Sequence, residues 1–189
     1  MFVLDLLLVL QVIIPVISKT ATSAMLDFLI FVTFLAVGNI LLYRSSESDR
    51  THDKLFLAGL MCFALGHISL FGMLFVKVGL NVFMAAFPIV ACAVLYFISK
   101  SDSFDFEKLF TFVWAYALLI SANLAQCVRL LKCTGKILPT IGMALLVAAA
   151  VMRLMQYFYD RTWQNLVELH MITYYLGMEI LVLSMTSIL

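Results

Sequence analysis

Two side chains in this sequence are difficult to read as packing alone: His67 and Glu179. Both stand inside long apolar runs, where an ionisable group is costly and marks a candidate site by default. His67 closes the segment Gly59-Leu60-Met61-Cys62-Phe63-Ala64-Leu65-Gly66-His67 and lies too deep to reach an interface by stretching. Gly66 beside it removes a side chain and lets a neighbouring helix approach closely. A neutral histidine bonded to that neighbour is the plainer alternative. Glu179 shares its run with Glu168 and His170. Glu168 and Glu179 are eleven residues apart, so on a helix they point in nearly the same direction. Glu168 is expected at an interface, whereas Glu179 must pair, be neutral or face a hydrated cavity, where a carboxyl can give up a proton.

Other polar residues could serve the same interior. Asn123, Gln126 and Arg129 recur at three-residue spacing on one helical face, with hydrogen bonding between helices as their plainer role. Tyr174 and Tyr175 offer phenolic hydroxyls. Asp5, Asp27 and Arg153 lie near the ends of their runs and are expected to reach the interface. Cys62, Cys92, Cys127 and Cys133 form no CxxC pair, so no metal site is expected and no cofactor is implied. A nucleophile elbow, an HExxH, a P-loop and a dinucleotide fingerprint are all missing from the sequence.

The elements that must position these residues follow from composition. The chain has 189 residues, of which 65% are hydrophobic and 12% charged, against about half and a quarter in soluble domains. A lipid bilayer is the solvent such a chain needs. Seven apolar stretches, 2–17, 25–43, 55–76, 78–98, 109–128, 137–155 and 166–189, approach the roughly 20 residues of a helical span. They are unbroken, whereas barrel strands alternate in polarity over about ten residues. The expectation is an all-α transmembrane bundle of seven spans, one integral membrane domain over 1–189, with a tight turn near Gly79. The net charge of +1 gives no reason to expect a nucleic acid partner. No cleavable signal peptide is expected at the first run. Lys and Arg divide seven to five between the two sides, which favours a cytosolic N-terminus.

With these residues in place, the chain resembles the lysoplasmalogenase (YhhN-like) family of membrane proteins. Gly59–Gly72 is similar to its GL-x-x-F-x-x-GH block, and Gly38-Asn39-Ile40-Leu41-Leu42 stands where the family has GD and apolar residues. Ser18-Lys19-Thr20 is loosely similar to its Lys-Pro, Ile141–Leu146 to its Gly-Ala block, and Ile172–Ile180 to its Tyr-Tyr-x-Ala-Gln ending. The resemblance implies eight spans, one more than the runs give, with the difference between Lys19 and Gly38. It also implies hydrolysis of the vinyl ether bond of lysoplasmalogens in an internal or bacterial inner membrane, with a lysophospholipid-like substrate. The departures are specific: Asn39 replaces one family aspartate, alanine stands at 148 and 149 where a Ser-Asp pair is expected, and Met178 takes the glutamine's place. His67 and Glu179 are then the expected catalytic residues, with Asn39, Gly66, Asn123, Gln126, Tyr174 and Tyr175 as binding residues. Asn39, His67 and Glu179 should line one enclosed cavity. The alternatives are a catalytically degenerate lipid-binding relative and an unrelated seven-helix transporter or receptor.

Overall fold

The computed structural model describes residues 2–18, 23–47, 52–101, 109–158, 165–186 and 188. Lys19, Thr20, Arg50, Lys108 and Arg161, which entered the charge and motif readings, lie outside them. The described residues form helices α1 (Phe2–Ser18), α2 (Ser23–Glu47), α3 (His52–Val78), α4 (Ala86–Ser99), α5 (Phe110–Thr134), α6 (Leu138–Phe158) and α7 (Leu166–Thr186), with no strand among them. Five helices, α2, α3, α5, α6 and α7, are long and apolar enough to cross a membrane. The protein is an all-α, multi-helix integral membrane chain. Its outer surface agrees: Val76 is 86% exposed and Val82 88%, positions that only a lipid environment makes comfortable.

The expected seven equal spans become five long helices and two short ones. At 1.5 Å per residue, the 17 residues of α1 reach about 26 Å and the 14 of α4 about 21 Å, against a hydrocarbon core of about 30 Å. The fourth run was expected to be helical from Val78. The tight turn expected near Gly79 is there: Gly79 adopts φ +68°, a left-handed conformation, and its N–H closes on Phe75 O at 2.8 Å to end α3. A short 3-10 turn, Val82–Ala85, follows, and α4 starts only at Ala86. Pro88 falls in its first turn, where the missing N–H costs nothing. At the other extreme, α5 continues past its expected end at Val128 to Thr134, where Gly135 at φ +72° stops it.

Two glycine crossings set the frame. A Cβ on Gly38 of α2 would stand 3.0 Å from Gly59 O of α3, and one on Gly142 of α6 would stand 2.9 Å from Leu181 N of α7. Backbones this close need residues without side chains. Phe63 and His67 of α3 meet Tyr116, and His67 also meets Asn123, so α3 and α5 run in the same direction. Between them, α4 carries the chain back along the bundle.

Candidate active site

His67 is buried at 1% exposure between α3 and α5. Asn123 Nδ2 donates to the His67 carbonyl at 2.9 Å and lies 3.1 Å from His67 Nδ1. Only the NH₂ of the amide can donate to a carbonyl, which fixes the amide's orientation. Nδ1 must then accept, and the ring proton sits on Nε2, 3.4 Å from the Tyr116 hydroxyl. The histidine is thus held as a neutral Nε2–H tautomer aimed at a phenol.

His67 and Tyr116 line a narrow apolar chamber of about 60 Å³ with Tyr174, His170, Ala149 and Arg153. That is room for about two water molecules, or for a few heavy atoms of a ligand. Tyr174 donates to Leu35 O at 3.2 Å, and His170 stacks on its ring. Two larger spaces adjoin the chamber. On one side, sharing Arg153, is a more polar pocket of about 280 Å³ lined by Asn39, Tyr43, Gln156 and Tyr157. On the other, sharing Val113, Tyr116, Ala150 and Leu154, is an apolar groove of about 490 Å³ bounded by α4, α5 and α6. Arg153, expected at an interface, is half-buried near the end of α6 and stands at the junction of chamber and polar pocket. Its Nη1 donates to Gln156 Oε1 at 3.0 Å, while its Nε is buried with no hydrogen-bond partner.

Asp5 corrects the sequence reading more sharply. Expected at the interface, it is 1% exposed. Asn39 Nδ2 donates to Asp5 Oδ1 at 3.4 Å and to Tyr175 OH at 3.2 Å, and Tyr175 OH donates to Asp5 Oδ2 at 3.2 Å. The two polar partners, one on α2 and one on α7, solvate the carboxyl and make its burial tolerable. A sequence signal existed: Asp5 and the buried Leu8 are three residues apart, the inward stripe of α1.

The expected site residues separate into groups. His67 and Tyr174 line the chamber, which Asn123 touches only through His67; Asn39 lines the polar pocket and joins Tyr175 and Asp5. Gly66 lies at the α2–α3 crossing, where an added Cβ would stand 3.0 Å from Phe31 O. Gln126 is fully buried on α5. Glu179 is not brought to His67: it accepts from Gln11 Nε2 at 3.2 Å at the seam of α1 and α7, and it lines none of the three spaces. Tyr116, His170, Arg153 and Asp5 are the residues that sequence reasoning did not place at the site.

The described residues thus form a membrane helix bundle that encloses a histidine–tyrosine chamber between a cation-bearing pocket and an apolar groove. The YhhN family model matches residues 1–185, and the chain belongs to that family. No curated protein and no solved structure matches it.

Proposed function

We propose that this protein is a membrane-embedded hydrolase of lysoplasmalogenase type, cleaving the vinyl ether bond of a single-chain ether phospholipid. The observation that carries the reading is the order of the three spaces: polar pocket, narrow chamber, apolar groove. A lysoplasmalogen has its parts in that order: a phosphate head group, a vinyl ether and a fatty chain. Arg153 offers its free Nε edge to the phosphate, an oxyanion that guanidinium recognises well. The groove, at about 490 Å³, falls within the range of about 300–1,000 Å³ typical of ligand sites and takes the chain.

The reaction begins with proton transfer to the β-carbon of the vinyl ether, which leaves an oxocarbenium ion. Water adds to the α-carbon and loses a proton, and the hemiacetal collapses to a fatty aldehyde and the glycerophospho alcohol. One water is consumed and the proton is returned. Asp5 lines none of the three spaces itself, but Asn39, to which it is bonded, lines the polar pocket; one side chain behind that wall, Asp5 supplies the acid in the place of the two family carboxyls that Asn39 and Ala149 lack. His67 and Tyr116 orient the water in the chamber. The two family positions flank Arg153, one in each adjoining space, which supports reading these spaces as the family's site.

A second reading has its own support. Asn39 and Ala149 leave the pocket and the chamber without a lining carboxyl among the described residues, as in a relative that binds a lysolipid without cleaving it. A structure with the saturated ether analogue, which cannot be hydrolysed this way, tests the placement common to both. The phosphate should lie at Arg153 and the chain between α4 and α6. Density for the head group at any other site would overturn the assignment.

A further inference from the structure

The face of α5 that carries His67's partner leaves several buried polar atoms unmatched. Asn123 Oδ1, both amide atoms of Gln126 and Nη1 of Arg129 are buried with no hydrogen-bond partner. Asn123 and Gln126 are each 0% exposed. These residues stand at three-residue intervals, about 4.5 Å of helix rise per step. The row begins at Asn123, bonded to His67. It ends at Arg129, whose Nη2 lies 3.8 Å from where a Cβ on Gly79 would be, at the turn that closes α3. An amide left dry in an apolar interior is destabilising, and no described side chain relieves any of the four atoms. Buried water does relieve such groups, making about 2–4 hydrogen bonds per molecule.

We infer that a file of ordered water occupies this face of α5, entering beside Arg129 and ending at His67. Asn123 Oδ1 accepts from it, and Gln126, with a donor and an acceptor on one side chain, passes it along. The conducted species is water, because the fixed charge of Arg129 at the entrance repels protons and cations, as an arginine does in water-selective pores. The use of this water rests on the hydrolase reading: each turnover needs one molecule, and bound substrate closes the two other approaches to the chamber. Gln126 is then a positioning residue, acting through water rather than on the lipid.

Water-edited solid-state NMR on the full chain in liposomes, labelled at Asn and Gln side chains, reads this directly and needs no turnover. The Gln126 and Asn123 amides should receive water magnetisation at short mixing times, and Gln126→Leu should abolish the transfer to Asn123. Gln126→Met, similar in length and flexible, serves if the leucine variant does not fold. A Gln126 amide that stays dark while the Gln156 amide lights up would show a dry helix face and overturn the inference. Turnover, where present, should fall in Gln126→Leu with KM for the lipid unchanged. A rise in KM alone would assign Gln126 to lipid binding and also overturn it. A protein that releases no aldehyde but keeps the water signal would sink the hydrolase reading and leave the water file standing.

Discussion

Asp5→Asn is expected to lower aldehyde release from lysoplasmalogen by about 10²–10⁴-fold, the usual worth of a general acid, with little change in melting temperature. Asparagine has nearly the same shape as aspartate. Its carbonyl oxygen still accepts from Asn39 or Tyr175, which now stand 3.4 and 3.2 Å from the carboxyl. What it lacks is a proton acidic enough to protonate carbon. Asp5→Ala is the poorer test, because it removes an acceptor shared by Asn39 and Tyr175 and destabilises by about 1–3 kcal/mol for that reason alone. Rates and melting curves for Asp5→Asn, measured side by side, separate chemistry from folding. Full activity in that variant would remove Asp5 from the mechanism.

The largest effect on stability is expected at the α6–α7 crossing. A Cβ on Gly142 would meet Leu181 N at 2.9 Å and Gly177 O at 3.0 Å, and one on Gly177 would meet Gly142 O at 3.0 Å. These are backbone atoms of a packed helix and have no rotamer to escape into. Overpacking of this kind costs about 1–3 kcal/mol, or about 2–12 °C in Tm for a chain of this size. Gly142→Ala and Gly177→Ala should both show it in thermal unfolding in detergent. Activity should fall with it, because α6 brings Arg153 and α7 brings His170, Tyr174 and Tyr175. Gly72 is the control: nothing lies within 4 Å of a Cβ there, so Gly72→Ala should be neutral or stabilising by up to about 1 kcal/mol. A loss at Gly72 equal to that at Gly142 would show that the crossing is not the cause.

These residues also mark what the sequence could and could not reveal. Membrane helices were legible because an apolar run has few other solutions, and the centres of α2, α3, α5, α6 and α7 fall where the runs lie. The turn at Gly79 was legible too, but not the length of the break, which runs through a short 3-10 turn, Val82–Ala85, before α4 starts. His67 and Asn123 were visible as polar residues deep in apolar runs, but nothing local joined them across α3 and α5. Asp5 was misplaced for a physical reason: position near the end of a run was taken for exposure. Burial depends on which way the helix face turns, and Asp5 turns toward Asn39 and Tyr175. Glu179, central in α7, is bonded to Gln11 at the α1 seam, a partner that its position in the run could not indicate.

One measurement bears on the central claim more directly than any other. Purified protein in a neutral detergent is given a lysoplasmalogen and, in parallel, its saturated ether analogue, and fatty aldehyde is quantified over time. The account predicts aldehyde from the vinyl ether alone, lost in Asp5→Asn and in His67→Ala and retained in Glu179→Gln. Well-folded protein that binds both lipids and releases no aldehyde from either would contradict it, and would leave a lipid-binding member of the YhhN family in place of a hydrolase.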